Sequence, residues 1–207
     1  MRHLGLLLLA SMACAPAVRG QDTTATGGDL PPVGFGTLNQ DDITIDLRQD
    51  DLEVRLMPLD ERILRLLAPD AYNSLHELVR SRKADIDSVG RRNGVSAPGI
   101  MLATFFGRRQ GVRFDPQNVY VTIRNQFRRP IGLVPFSPNF TNQQLDVRER
   151  AIAILVFDTE LPVFETFSLS YGIQLTDSWE RQLGRLQRER ERVAAKARQA
   201  AGTTPQN

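Results

Sequence analysis

The chain has 207 residues, of which 41% are hydrophobic, 24% charged and 7% aromatic. These proportions are ordinary for a globular protein, and they exclude collagen-like, disulfide-dense and largely disordered chains. The formal net charge is +2. Without residues 1–20 it is zero, because that segment contains two arginines and no acidic residue. We therefore expect no specific nucleic-acid partner, since affinity for phosphates grows with net positive charge.

The first 20 residues have the pattern of an export signal. Arg2 makes the start positive, and residues 4–12 form an apolar run much shorter than the roughly 20 residues of a transmembrane helix. Cleavage after residues 15–17 or 18–20 would release a soluble product, whereas acylation of Cys14 would give a lipoprotein. Residues 11–14 resemble a bacterial lipobox, with Ser11 where leucine is usual. Both routes predict an exported protein, either in the periplasm, at the outer surface or outside the cell, with Cys14 as the lipid anchor in the second case.

Several kinds of chemistry are excluded by residue counts. Cys14 is the only cysteine, which leaves no intramolecular disulfide and no thiolate metal cage. His3 and His76 are the only histidines, so a site with several histidines around zinc or iron is not expected after export. No nucleophile elbow or phosphate-binding glycine loop is present. We expect no metal, no cofactor and no catalytic residue, and we interpret His76 as an exposed residue on a helix.

The chain after the signal begins with a linker and a hairpin. Residues 21–40 are rich in Thr, Gly, Asp and Pro, which predicts a flexible linker or a frayed terminus without a role. Two runs of period-two alternation, 43–47 and 52–56, surround the polar stretch 48–51. That pattern predicts a β-hairpin with one face on the core.

A helical insertion is predicted over residues 59–92. A short helix over 59–67 ends before Pro69, and a second helix from 70 to about 89 has an apolar stripe. The Asn93-Gly94 pair suits the end of the helical region. The stripe residues are Tyr72, Leu75, Val79, Ile86 and Val89.

The second half of the chain is predicted to be β. Residues 100–106 are nearly all apolar, which is typical of a strand covered on both faces, and 119–124, 131–136, 151–157 and 164–173 are further extended segments. With the hairpin this makes seven strands, and their number alone favours an immunoglobulin-like antiparallel β-sandwich over residues 41–175. The predicted fold is therefore mainly β with helical additions (α+β), with a helical insertion and a C-terminal helix. The expected core residues are Leu102, Phe106, Val121, Ile123, Ile154, Val156 and Leu169.

A C-terminal helix is predicted over residues 176–200, before a disordered tail at 201–207. Asp177 and Glu180 have the spacing of a capping box, and Leu183, Leu186 and Val193 form an apolar seam. Such a helix can lie on the sandwich, or it can pair with a second copy over residues 177–199. Fewer than three good heptads are present, which favours the first interpretation.

Charge is unevenly distributed along the chain. Eight acidic residues lie between Gln40 and Glu61, and arginines cluster between Gly107 and Arg129. If the turns that carry these arginines meet at one end of the sandwich, they can bind phosphate or carboxylate. The alternatives are a solvated rim and ion pairs with the acidic hairpin. The six candidate anion-binding residues are Arg108, Arg109, Arg113, Arg124, Arg128 and Arg129.

Three functions are compatible with these features. The first is a non-catalytic, exported interaction module of the bacterial envelope, whose partner is another envelope protein or an acidic envelope component. The second is a polyanion-binding domain that uses the arginine cluster. The third is a carboxylate-dependent hydrolase such as a glycosidase, which requires two acidic side chains across a cleft.

Overall fold

The computed structural model describes residues 30–202, which form four α-helices and three antiparallel β-sheets. The export signal, Cys14, the first part of the predicted linker and the last residues of the tail lie outside the described residues. The strands are β1 (Ile45–Arg48), β2 (Leu52–Pro58), β3 (Gly99–Gly107), β4 (Val112–Arg113), β5 (Val119–Ile123), β6 (Gln126–Arg128), β7 (Gly132–Pro135), β8 (Gln144–Leu145), β9 (Arg150–Phe157), β10 (Ser168–Tyr171) and β11 (Gln174–Thr176). The helices are α1 (Glu61–Leu64), α2 (Pro69–Ser81), α3 (Lys83–Arg92) and α4 (Ser178–Gly202).

Two sheets build most of the structure. The larger has the strand order β1-β2-β3-β9-β7, and the smaller has the order β11-β10-β5-β6. Strands β4 and β8 form a separate two-stranded ribbon. Every pairing between these strands is antiparallel. Sequence alternation predicted the β1–β2 hairpin correctly, because alternate residues are buried along β1 and along β2 as far as Leu56.

Aromatic residues join the two sheets. Phe105 of β3 stacks on Phe114 with ring centroids 4.8 Å apart, and it meets Tyr171 of β10 edge-on at 5.8 Å. Gln49 closes one corner, since its side-chain amide donates to the main-chain oxygen of Tyr171 at 3.2 Å. The buried face of the larger sheet is thereby directed toward the smaller sheet.

The predicted core is confirmed in part. Val121, Ile154, Val156 and Leu169 are buried, as are Tyr72 and Leu75 of α2. The prediction that residues 100–106 are covered on both faces is wrong. Met101, Ala103 and Phe105 are buried, whereas Ile100, Leu102, Thr104 and Phe106 on the opposite face are half-buried. Ile123 and Val79 are also half-buried.

The strand covered on both faces is β9, in which Ala153 through Phe157 are all buried. Helix α3 covers part of its second face, next to the edge strand β7. Val89 approaches so closely there that a β-carbon at Gly132 would lie 2.6 Å from a Val89 methyl group. The single helix predicted over 70–89 is divided at Arg82 into α2 and α3.

Residues 30–40 of the predicted linker lie against the body of the protein. Leu38 is buried and forms an isolated parallel bridge with Leu67. Gly36 is pressed on the main chain of Leu66 and Leu67, just after α1, where a β-carbon would lie 2.3 Å from the carbonyl oxygen of Leu67. Helix α4 also holds this segment, since the Thr37 N–H donates to the Glu189 carboxylate of that helix at 2.7 Å. Trp179, Leu186 and Val193 are buried along the seam of α4.

The architecture is therefore mixed α+β, with mostly antiparallel sheets and a C-terminal helix. The immunoglobulin-like strand arrangement is not confirmed. Within residues 30–202, no helix is both long and apolar enough to cross a membrane.

Candidate binding surface

The smaller sheet has one face on the core and one face toward solvent. Val119, Val121, Leu169 and Tyr171 are buried on the inner side. Since successive side chains of a strand point to opposite faces, their neighbours in sequence lie on the other side. We call this side the outer face and define it by Tyr120, Thr122, Phe127, Ser168, Ser170 and Leu175, which the strand register places in two adjacent cross-strand rows.

Large apolar side chains are exposed on this sheet. Phe127 on β6 is 73% exposed and Leu175 on β11 is 66% exposed. Ile173, in the turn between β10 and β11, is 95% exposed. In the part of the chain that the structure describes, only Val33 and Val147 are comparable, and neither lies on the smaller sheet. Single exposed apolar residues are common on protein surfaces, whereas a concentration on one face marks an interaction site.

An aromatic and cationic group lies along the β5–β6 edge of the outer face. The guanidinium of Arg129 lies 4.8 Å from the centre of the Tyr120 ring, a distance at which a cation is attracted to the ring's electron-rich face. The Tyr120 and Phe127 rings meet edge to face with centroids 6.5 Å apart. Tyrosine and arginine are enriched at the energetic centres of protein interfaces.

A tight turn fixes the position of Phe127. Arg124 and Asn125 both have positive φ angles, 49° and 63°, as the type I′ turn of a two-residue β-hairpin requires. The turn pairs Ile123 with Gln126 and places Phe127 directly opposite Thr122. Asparagine is one of the few residue types that adopt a positive φ angle readily. Asn125 is therefore the one feature of the sequence that indicates this turn.

A polar recess of about 190 Å³ lies at the end of the outer face, between the β5–β6 turn and the start of α4. The predicted capping box is absent from α4. The helix begins at Ser178, whose N–H donates to the Thr176 hydroxyl at 3.2 Å, and the exposed residues Asp177 and Glu180 are among those that line the recess. The other residues that line it are Thr122, Arg124, Asn125, Thr166, Phe167 and Ser168.

The six candidate arginines do not form one cluster. Arg108 follows the end of β3 at Gly107, where its N–H bonds to Asp51. Arg128 forms an ion pair of 2.9 Å with Asp158, which follows the end of β9 that pairs with Gly99 at the opposite end of β3. The nine residues of β3 separate these ends by roughly 30 Å. One group contains Arg108, Arg109 and Arg113, and the other contains Arg124, Arg128 and Arg129.

Most of the second group is already engaged. Arg124 pairs with Glu165 at 3.1 Å, Arg128 pairs with Asp158, and Arg129 lies on Tyr120. The acidic hairpin does not use the six arginines as ion-pair partners. Its charges are balanced by its own residues Arg48 and Arg55 and by Arg185 of α4. Arg108 reaches the hairpin only through main-chain atoms, with its side chain donating to the Gln49 oxygen.

A second group of titratable residues joins α1 to α2. His76, predicted as an exposed helix residue, is half-buried, and its Nδ1 lies 2.6 Å from a carboxylate oxygen of Glu61. The other oxygen of Glu61 accepts from Arg65 at 2.9 Å. Burial raises the pKa of the neighbouring Tyr72 phenol, and the Glu61 charge adds to the increase. Sequence reasoning missed this pair because its members are 15 residues apart on different helices.

Glu61 also lines a cavity of about 270 Å³ together with Asp60 and Glu160. Asp60 is bound by Arg62, with 2.6 Å between an Nη2 and a carboxylate oxygen, and it caps α1 through the Arg62 N–H. Two of the three carboxylates thus hold a cationic or imidazole partner. Within residues 30–202, no three or more His, Cys, Asp or Glu side chains are arranged so that they could hold a metal ion.

No protein-family model, no curated protein and no solved structure matches this chain. No residue role is therefore transferred from a relative, and the outer face and the recess are described from the structure alone.

Proposed function

We propose that the protein is a non-catalytic interaction module that binds another protein through the outer face of its smaller sheet. The observation that carries this proposal is the exposure of Phe127 and Leu175 on the outer face, at 73% and 66%, and of Ile173 in the adjoining turn, at 95%. Burying a large apolar side chain is worth about 1.5–3 kcal/mol. A partner that removes these side chains from water therefore gains favourable binding free energy.

A protein fits this surface better than a membrane does. Ile173 borders a groove lined by two acidic residues, Asp50 and Asp51, and by two arginines, Arg48 and Arg109. The groove therefore lacks the excess of basic residues that attracts a protein to anionic lipids. At the other end of the face, Arg124 is 79% exposed. The surface thus combines aromatic and aliphatic side chains with charges of both signs at its rim, which is the composition of a protein interface.

The two alternative functions receive less support. A polyanion site would need the six arginines together, but they lie in two groups at opposite ends of β3. A hydrolase would need a pair of available carboxylates across a cleft. In the cavity beside α1, Asp60 and Glu61 are occupied by Arg62, Arg65 and His76, so Glu160 is the one carboxylate there without such a partner.

The location and finer architecture belong to the same proposal. The pattern of residues 1–20 supports export to the envelope or the exterior, with Cys14 as the lipid anchor if it is acylated. The opposed faces of the two sheets, in contact through Phe105 and Tyr171, support a sandwich of the immunoglobulin type.

Site-specific photo-crosslinking in the native host tests the proposal. A photoreactive phenylalanine analogue is placed at Phe127, at Leu175 and, as a matched control, at Val147, which is 53% exposed outside the smaller sheet. We expect one discrete protein adduct shared by positions 127 and 175 and absent at position 147. Equal adduct patterns at all three positions, or none at 127 and 175, would contradict a binding role for the outer face.

A further inference from the structure

We propose that the groove between α3 and the free edge of β7 binds an extended, acidic segment of a partner protein as an added β-strand. Strand β7 is the last strand of the larger sheet, and β9 is its only neighbour among the described strands. The groove belongs to the larger sheet, so the inference goes beyond the protein contact proposed for the outer face of the smaller sheet.

The strand register shows which main-chain groups of β7 are unpaired. The Phe136 N–H donates to the Ile152 oxygen at 2.8 Å. Because hydrogen-bonded and non-hydrogen-bonded pairs alternate along an antiparallel ladder, the main chain of Val134 is directed to β9 as well. The N–H and C=O of Leu133 and the C=O of Pro135 therefore point away from β9, and they have no hydrogen-bond partner in the described part of the chain. An edge with such groups is a template for another strand.

A groove of about 410 Å³ runs along this edge. Leu133 and Val134 both line it, although successive side chains of a strand point to opposite faces of the sheet. The groove therefore passes over the edge of the strand, where the unpaired main-chain groups lie. Helix α3 forms the opposite wall, and Val89 packs against Gly132 at the start of β7. An extended segment that enters the groove meets β7 through its main chain and α3 through its side chains.

Charge narrows the class of segment. The polar residues that line the α3 side of the groove are Arg82, Asp85, Ser88 and Arg92. The Arg82 guanidinium lies 4.9 Å from the centre of the Phe136 ring and 3.5 Å from the Asp85 carboxylate, whereas Arg92 makes no ion pair in the described part of the chain. Two cations against one carboxylate favour an acidic segment. The two arginines stand at opposite ends of α3, roughly 15 Å apart along the helix, which is the length of about five extended residues.

A random peptide library supplies the probe. Twelve-residue sequences are selected by mRNA display on the full exported chain at physiological ionic strength, and the best sequence is synthesised for calorimetry. Because alternate side chains of an added strand face α3, we expect Asp or Glu at every second position of the enriched sequences. By NMR, the Leu133 amide should exchange with solvent rapidly in the free protein and at least tenfold more slowly with the peptide bound. The Val134 amide, bonded to β9, should exchange slowly in both states.

Variants locate the site. Leu133→Pro removes the outward N–H, and proline is tolerated on an edge strand where that N–H faces solvent. It should weaken peptide binding at least tenfold, whereas Leu133→Val keeps the N–H and should change binding less than twofold. Arg92→Glu should weaken binding at least fivefold. Arg91→Glu makes the same charge change at an exposed neighbour that does not line the groove, and it should have a much smaller effect.

Methylation of single peptide nitrogens tests the strand pairing from the partner's side. It should abolish binding only at alternate residues, and this test does not depend on the stability of Leu133→Pro. The proposal is overturned if no sequence is enriched, if no single methylation weakens binding, or if binding survives Arg92→Glu or a Leu133→Pro variant of unchanged Tm. A dimer of this chain that Leu133→Pro converts to monomer would assign the edge to a second copy, which also overturns it.

The groove and the outer face fail independently. Leu175→Ser should remove the photo-adduct at position 127 and leave peptide binding intact, because Leu175 does not line the groove. Leu133→Pro should have the opposite effects. Peptide binding without an adduct would therefore retain the groove and eliminate the partner proposed for the outer face.

Discussion

Glu189 shows how one side chain departs from its sequence pattern. A glutamate on an Arg- and Glu-rich helix is expected at the solvent face, yet the Glu189 side chain is only 8% exposed. One of its carboxylate oxygens accepts from the N–H of Thr37 at 2.7 Å and from the Thr37 hydroxyl at 2.9 Å. Both oxygens accept from Arg192, which also donates to the main-chain oxygen of Phe35. This group ties the segment before β1 to α4.

Removing the Glu189 carboxylate should destabilise the protein. Glu189→Ala leaves the N–H and hydroxyl of Thr37 without an acceptor and Arg192 without its counter-ion. We expect a loss of about 1–3 kcal/mol in the free energy of unfolding, since Arg192 retains some access to solvent. Glu191→Ala on the exposed side of the same helix is the control for urea denaturation. Equal stability of the two variants would show that the contact does not hold the segment.

The same residue gives stability a pH dependence. The hydrogen bonds from Arg192, followed by those from Thr37, lower the pKa of Glu189 below its ordinary value of about 4.5. A carboxyl with a lowered folded-state pKa contributes its full stabilisation above its unfolded pKa and loses it as the pH falls through the folded pKa. Between pH 7 and pH 3, the free energy of unfolding should therefore fall less for Glu189→Gln than for wild type. Parallel pH profiles would contradict the assignment.

At the scale of elements, β9 and β3 differ in how they are covered. The side chains of β9 are buried on both faces because α3 lies on the second one. In β3, Leu102 belongs to the half-buried face. The apolar runs in β3 and β9 have similar compositions but different environments. The hydrophobic pattern within a run does not show whether a helix from another part of the chain, here α3, packs on its second face.

This difference predicts unequal costs of truncation. Ile154→Ala should cost about 2–5 kcal/mol, as for a fully buried aliphatic residue. Leu102→Ala should cost about 1 kcal/mol, because roughly half of the side chain's burial is at stake. Chemical denaturation of the two variants side by side measures the difference. A larger loss of stability for Leu102→Ala than for Ile154→Ala would contradict the finding that the Leu102 face of β3 is only half-buried.

The elements that build the candidate site were the hardest to predict. The β1–β2 hairpin has long alternating runs, and its prediction was correct. Strands β6 and β11 have three residues each, too few for a period-two pattern, so Phe127 and Leu175 read as residues of connections. The capping signal at Asp177 and Glu180 was misleading because the Glu180 N–H donates to the main-chain oxygen of Asp177 at 3.0 Å and not to its carboxylate. Competition between nearby acceptors is settled by local geometry, which a spacing rule does not contain.

For the whole molecule, the amino-acid composition predicted which classes of function to exclude, whereas the position of the candidate binding surface depends on the tertiary structure. The near balance of charge and the lack of metal-ligand clusters in the sequence limited the range of functions. The arginines between Gly107 and Arg129 suggested one anion site, but the length of β3 separates them. Cross-strand register instead brings Tyr120, Phe127 and Leu175 onto one face.

Thiol labelling in intact cells tests most directly whether the outer face is a binding surface. Leu175→Cys and Val147→Cys are each treated with a maleimide in the native host and as purified protein, and the labelled peptides are quantified by mass spectrometry, so Cys14 does not interfere. Both side chains are more than half exposed in the isolated chain, at 66% and 53%. If the outer face is occupied by a partner, position 175 should be labelled at least fivefold more slowly in cells than in the purified protein, while position 147 is labelled at similar rates in both. Equal labelling of position 175 in cells and in the purified protein would contradict the account.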